Sequence, residues 1–287
     1  MADNIARVFA AAIAPDPAQP LLTWYDDATG ERTELSGATL ANWVAKTANL
    51  LTDEVAAGPG ESAGALLPPH WQTAAVLLGC WSAGLVVADA PGPVEVLFAA
   101  ADRVGEADAW PAAERYALAL APFALPLREV PAGFADYVVG GGAARGPLTP
   151  HPAAGAAARA PGGRAAAPAA APGGGRPPPA PAGRGRRAPP APPPRGGGGP
   201  PPPPHFTPYA AGGPADAELL GRAAARAAEL GLARGDRVLL DVAAHPDPVD
   251  WLLAPLVAGA STVLCANADP AGLPARADTE RVTRTLA

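Results

Sequence analysis

Lysine, methionine and cysteine are nearly absent from this 287-residue chain: Lys46 is its single lysine, and Cys80 and Cys265 are its two cysteines. Both cysteines sit inside apolar runs, which fits buried free thiols of a reducing compartment; a single disulfide between them has no support in the sequence. The opening Met1-Ala2-Asp3-Asn4 has no basic n-region, and no signal peptide is expected. The longest apolar run, around Ala74 to Ala88, is too short and too rich in small residues to span a bilayer. These features point to a cytoplasmic protein without a membrane partner.

What the chain has in excess is Gly and Pro, 33 and 39 residues, together about a quarter of the whole. The excess is local. From Pro152 to Pro204 every residue is Ala, Gly, Pro or Arg, and the rest of the chain has an ordinary composition with enough apolar residues for a core. The tract holds seven arginines and no acid, so the net charge of −6 conceals a strongly acidic body. An acidic body gives no electrostatic reason to expect nucleic acid as a partner.

Read in order, the body alternates helices and strands. A helix capped by Asp3 carries Ile5, Val8, Phe9 and Ile13 on one face. Leu21 to Tyr25 and Arg32 to Leu35 form a hairpin around Asp26-Asp27-Ala28-Thr29-Gly30. A helix starting at Ser36 or Thr39 carries Leu40, Trp43, Val44 and Leu51 and stops near Gly58-Pro59-Gly60. A strand over 63–67, a helix over 71–83 and a strand over 85–88 follow. After the tract the order returns: helix 218–230, strand 237–241, helix 251–258, strand 261–265. The two stretches superpose without a gap, matching Gly60 with Gly235, His70 with His245 and Gly84 with Gly259. Duplication of one supersecondary unit accounts for that register. The fold class is therefore α/β: two related lobes with largely parallel strands covered by helices, interrupted by a disordered Pro/Gly/Ala/Arg tract. The expected boundaries are 1–139 for the first lobe, 140–207 for the low-complexity insertion and 208–287 for the second lobe.

Two blocks carry a family resemblance. The first runs from Glu34-Leu35 through Leu66-Leu67-Pro68-Pro69-His70-Trp71 to Ala83-Gly84-Leu85-Val86-Val87. The second is Gly235-Asp236-Arg237-Val238-Leu239-Leu240, then His245, then Leu253-Ala254-Pro255-Leu256-Val257-Ala258-Gly259-Ala260. In order and spacing they resemble the N-terminal part of the adenylate-forming (AMP-binding, acyl-CoA synthetase-like) enzymes, and the chain is similar to short, truncated actinobacterial relatives of that superfamily. The resemblance covers residues 20–90 and 216–266. It implies a Ser/Thr/Gly-rich phosphate loop ending in Pro-Lys-Gly just before the helix at Glu218. In that place stands Tyr209-Ala210-Ala211-Gly212-Gly213-Pro214-Ala215-Asp216-Ala217, without Ser, Thr or Lys, so the hydroxyls and the cation for a triphosphate are missing. The family's adenine motif, ribose-binding Asp, hinge and lid lysine would fall beyond Ala287. No catalytic residue, no metal and no cofactor is therefore expected, with ATP and Mg entering only if the chain is a partial acyl-activating enzyme completed by a partner chain.

Other motif-like strings are weaker. Gly60-Glu61-Ser62-Ala63-Gly64 matches a nucleophile-elbow pattern, but that pattern needs a strand before the Ser and a helix after it, the reverse of the order here. Gly58-Pro59-Gly60-Glu61-Ser62-Ala63 fails as a dinucleotide fingerprint for the same reason. His245 is the ligand-pocket candidate, because in the resembled family a histidine near this point lines the acyl or acceptor pocket. The competing account is a loop histidine before Pro246. Its counterpart His70 is expected to pack or cap beside Trp71. Asp247 and Asp250 lie near His245 and fit a helix N-terminus favoured by its dipole better than a metal site. Trp43, Trp71, Trp81 and Trp251 fall on helix faces, as core residues do.

The tract reads as a semi-rigid polyproline linker, as a docking segment through Arg187-Ala188-Pro189-Pro190-Ala191-Pro192-Pro193, or as GC-rich coding sequence read out of frame. The function that follows is a non-catalytic small-molecule-binding or interaction module, with a homo-oligomer or protein partner covering apolar surface. The alternative is the partial acyl-activating enzyme.

Overall fold

The computed structural model of the protein describes residues 4–88, 90–143, 209–210 and 214–286. Helix α1 (Ile5–Ile13) begins at Asn4, whose side-chain oxygen accepts the Arg7 N–H at 3.3 Å; this residue, rather than the expected Asp3, is the cap. Strands β1 (Pro20–Asp26) and β2 (Glu31–Ser36) form the expected antiparallel hairpin, with Gly30 at φ +75° in its turn. Ser36 then accepts the Thr39 N–H and caps α2 (Gly37–Asn49). A π-helical turn at Leu50–Glu54 ends that helix before Gly58.

Strand β3 (Ser62–Leu66), helix α3 (Trp71–Ser82) and strand β4 (Val86–Ala88) follow the sequence reading closely. Beyond them lie β5 (Val94–Ala100), a 3₁₀ segment (Ala101–Ala109), β6 (Ala112–Leu118), the short β7 (Ala135–Asp136) and α4 (Tyr137–Ala143). Helix α4 runs four residues past the expected lobe boundary at 139. The disorder expected of the Pro/Gly/Ala/Arg tract concerns residues outside those described. After it come β8 (Tyr209–Ala210), α5 (Pro214–Glu229), β9 (Arg237–Asp241), a π-turn at Val249–Leu253 leading into α6 (Ala254–Ala258), β10 (Ser261–Ala266), α7 (Leu273–Thr279) and β11 (Arg284–Leu286).

Two mostly parallel sheets result. One has the order β11-β9-β10-β1-β2, the other β7-β6-β5-β3-β4-β8. Sheet membership crosses the boundary between 1–139 and 208–287. β1 lies parallel to β10, pairing Leu22 with Thr262 and Trp24 with Leu264, while β8 closes the other sheet antiparallel to β4. The physical cause is burial: β1 carries Leu22 and Trp24, 2% and 6% exposed, and needs a neighbour on each side to satisfy its backbone.

Helix α3 explains the packing. Every residue from Trp71 to Trp81 is buried, and the helix touches α1, α2, β1 of one sheet and β4 of the other. A helix enclosed on all sides must be apolar all round, which is why Trp71-Gln72-Thr73-Ala74-Ala75-Val76-Leu77-Leu78-Gly79-Cys80-Trp81 shows no amphipathic period. Its close approach to α2 depends on Gly79: a Cβ there would stand 2.5 Å from the Cβ of Thr47.

The internal repeat is exact in its hydrogen bonds. Gly60 N–H donates to the Gly84 carbonyl at 2.8 Å, and Gly235 N–H to the Gly259 carbonyl at 3.0 Å. Val86 N–H donates to the Glu61 carbonyl as Ser261 N–H does to that of Asp236. The Glu61 carboxylate accepts the Gly58 N–H as the Asp236 carboxylate accepts that of Ala233, both at 2.8 Å. All four glycines have φ between +74° and +86°, which side chains with a Cβ rarely adopt.

The outer face of the first sheet is tied to the segment after α7 by one carboxylate. Glu280, 8% exposed, accepts from Tyr25 at 2.6 Å, from Arg32 at 2.9 and 3.1 Å and from Arg237 at 2.5 Å. Burial raises its pKa, but the hydrogen bonds from Tyr25, Arg237 and Arg32 outweigh burial and bring it down to about 2.

Candidate functional site

In open α/β sheets, ligands collect outside the carboxyl ends of the strands. The carboxyl ends of β3 and β9 lead to His70 and His245, which occupy equivalent places in the two repeats, yet the structure uses them differently. His70, 2% exposed, caps α3: its Nδ1 accepts the Gln72 N–H at 3.1 Å. Its ring meets Trp24 edge-on at 4.7 Å and lies 5.6 Å from Trp71. Burial drives its pKa down to about 3, with the distant Asp26 opposing, so the imidazole is neutral. The sequence expectation of a capping residue beside Trp71 describes it well.

His245 stands in the loop after β9 with its side chain 17% exposed. Its Nδ1 is 3.3 Å from Asp250 Oδ2. The Asp250 carboxylate also accepts from Arg226 Nε of α5 at 2.7 Å. Burial raises the Asp250 pKa, but the bonds from Arg226 and His245 win and leave it below its ordinary value. Asp247 faces Arg222 at 3.6 Å, and its other oxygen accepts the Val249 N–H at 2.8 Å. Both acids are thus committed to arginines, and Asp247 also to the start of the next helical turn. Among the described residues no group of three or more His, Cys, Asp or Glu side chains is placed to hold a metal ion.

Tyr209–Ala217 stands where the resemblance implies a phosphate loop. β8 holds Tyr209 and Ala210 against β4, and α5 begins at Pro214. Asp216 sits in the first turn of α5, fully buried, and its Oδ2 accepts the Ile5 N–H at the start of α1 from 3.3 Å. A helix N-terminus attracts anions through its unsatisfied N–H groups and its dipole. Here a carboxylate already occupies that field. With no Ser, Thr or Lys between Tyr209 and Ala217, these residues do not fit a triphosphate. Sequence reasoning noted the missing groups but passed over Asp216; an acid two residues after the helix-starting Pro214 was the available signal.

Ser62 of the elbow-like string opens β3 directly after the Gly60 turn, in the order that excludes a nucleophile elbow. Cys80 and Cys265 are free and buried, and burial pushes Cys80 up to about 12, an inert thiol.

This architecture is shared with the acyl-CoA synthetases. An acyl-CoA synthetase from Brucella canis matches with a TM-score of 0.60 at 14% identity, covering 98% of this chain and 46% of that one. A fatty acyl CoA synthetase from Mycobacterium tuberculosis matches with a TM-score of 0.59 at 11% identity, over 99% and 49%. The N-terminal domain of FACL13 from the same organism matches with a TM-score of 0.54 at 12% identity, over 99% and 62%. The chain spans about half the length of the two synthetases, and at these identities the likeness establishes the fold. No family model matches the sequence. A TIGR03089 family protein of Mycobacterium tuberculosis is 41% identical over 278 residues, 94% of this chain and 93% of the relative. The chain belongs to the TIGR03089 family.

Proposed function

We propose that this chain is a non-catalytic relative of the adenylate-forming enzymes that acts as a small-molecule-binding or interaction module, without nucleotide as cofactor. The observation that carries the reading is the buried Asp216 carboxylate in the first turn of α5, in the stretch where the resembled family places its phosphate loop. A triphosphate there would meet a buried acidic side chain and find no lysine and no Ser or Thr hydroxyl, so ground-state and transition-state stabilisation both fail. In this reading His245, held by Asp250, borders the ligand space above the end of β9, and a second copy or a protein partner covers exposed apolar surface such as Phe123. The test is calorimetric titration of the full chain with Mg-ATP and with an acyl-adenylate analogue. No saturable heat with Mg-ATP is expected; micromolar binding of Mg-ATP overturns the proposal.

One observation favours a second reading. Nearly all of this chain superposes on about half of each synthetase, as expected of a partial acyl-activating enzyme completed by a partner chain. Such a partner would have to supply the lysine and the adenine pocket, and Mg-ATP affinity would appear once it is added.

A further inference from the structure

Strand β2 ends the five-stranded sheet. It pairs with β1 on one side, and among the described residues no strand pairs with its other side. Such an edge offers a row of backbone N–H and C=O groups to another chain, and proteins protect it with lysine or proline. Glu31-Arg32-Thr33-Glu34-Leu35-Ser36 has neither. Its outer face instead carries one cation and one anion, Arg32 and Glu34, with side chains 44% and 34% exposed.

Both side chains are held in place yet incompletely used. Arg32 donates through Nε and Nη2 to Tyr25, Glu34 and Glu280, and its Nη1 has no acceptor among the described residues. Glu34 accepts from Thr23 and Arg32 on Oε2, and its Oε1 has no donor among the described residues. A free donor and a free acceptor thus stand two residues apart on one face of an open edge. An antiparallel copy of β2, related by a two-fold axis at Thr33, sets Arg32 opposite Glu34 of the second copy, and Glu34 opposite its Arg32. An axis at Arg32 or at Glu34 sets like charges face to face, which destabilises a cross-strand pair. In the Thr33 register the edge is self-complementary, as an isologous contact requires.

A second observation lies beside the strand. The 3₁₀ turn Pro122–Ala124 packs near β2. It presents Phe123, 87% exposed, at φ +57°, and Leu125 follows at 56% exposed. A bulky residue in the left-handed region is a genuine outlier, and such strain collects at functional surfaces.

We propose that the β2 edge is the self-association surface of this protein. Two copies pair β2 antiparallel about Thr33, their sheets become continuous, and the contact covers Phe123 and Leu125. This rests on the reading of the chain as an interaction module and names its partner as a second copy. The test reads assembly and not Mg-ATP binding, so its failure leaves the nucleotide result standing.

Sedimentation velocity of the full chain is expected to show a dimer. Glu34→Lys weakens it ~10-fold, because both symmetry-related pairs turn repulsive. Glu280 still holds Arg32 in that variant, so the sheet is kept. Thr33→Cys gives a covalent dimer under mild oxidation, since residues opposite each other have Cβ atoms about 4.5–5.5 Å apart, within a small adjustment of a disulfide. Glu31→Cys does not, because it faces Leu35 of the second copy. Cys80 and Cys265 are buried and give no background. A monomer at ~100 μM overturns the proposal. So does a dimer that Glu34→Lys leaves unchanged, or one that crosslinks at position 31 as readily as at 33; either assigns association to another surface.

Discussion

Lowering the pH to about 5 should destabilise this protein through His70. The imidazole is 2% exposed, wedged between Trp24 and Trp71, and its Nε2 has no hydrogen-bond partner among the described residues. Burial lowers its folded pKa to about 3 from the ordinary imidazole value of 6.5. The folded state therefore excludes a proton that the unfolded chain binds. Stability is complete above about pH 6.5 and falls as pH drops from there toward 3, because the unfolded state binds more protons throughout that interval. Each pH unit is worth about 1.4 kcal/mol, so the loss reaches about 2 kcal/mol by pH 5 and on the order of 5 kcal/mol by pH 3. The carboxylates begin to titrate below about pH 5, which makes pH 6.5–5 the clean window.

The assay is urea denaturation at half-unit steps through that window, for the wild type and for His70→Asn. Asparagine retains the capping oxygen for the Gln72 N–H and does not titrate. The variant starts lower because its smaller side chain leaves space beside Trp24, but its stability is expected to be nearly flat with pH. The wild type should lose about 2 kcal/mol, a fall in Tm of roughly 4–8 °C for a domain of this size. Parallel curves for the two proteins refute the argument, since the slope difference belongs to His70 alone.

Two further predictions concern packing and charge. Gly79→Ala places a methyl 2.5 Å from the Cβ of Thr47, an atom that cannot swing away, so α2 and α3 must part. The strain of about 1–3 kcal/mol exceeds the ~1 kcal/mol gained in helix propensity, and a denaturation midpoint equal to the wild type contradicts this. Glu280→Gln keeps the size but removes the charge shared by Tyr25, Arg32 and Arg237. A loss of about 2 kcal/mol with faster amide exchange in α7 and β11 is expected, and unchanged exchange there argues against the carboxylate as the anchor.

The chain's local elements were legible in advance wherever a repeat or a cap announced them. The Gly60/Gly235 and Gly84/Gly259 pairs predicted two units in one register, and every backbone bond that joins those turns recurs in both. Strands β5 and β6 were not assigned, although Val94 to Ala100 is an apolar run of strand length; short apolar runs do not separate strand from buried helix by period alone. The extension of α4 past residue 139 was likewise hidden, because Gly140-Gly141-Gly142 disfavours a helix locally.

The site divides along the same line. The sequence alone determined that the stretch Tyr209–Ala217 lacks Ser, Thr and Lys, because side-chain chemistry needs no coordinates. It also determined the parity of His70 and His245, which follows from spacing. Only the tertiary structure decided that one of this pair is a buried neutral cap and the other a carboxylate-held loop residue, since burial and ion pairing depend on what other segments bring. Asp216 beneath Ile5, Glu280 beneath Arg32 and Arg237, and Arg234 over Gly259 are contacts in which at least one partner is distant in sequence or orientation decides the outcome. So is the pairing of β1 with β10, which joins the two halves of the chain in one sheet. Local pattern fixes which residues form an element and which face is apolar; which element it meets is set by the surface each leaves to be buried, and that is a property of the whole fold.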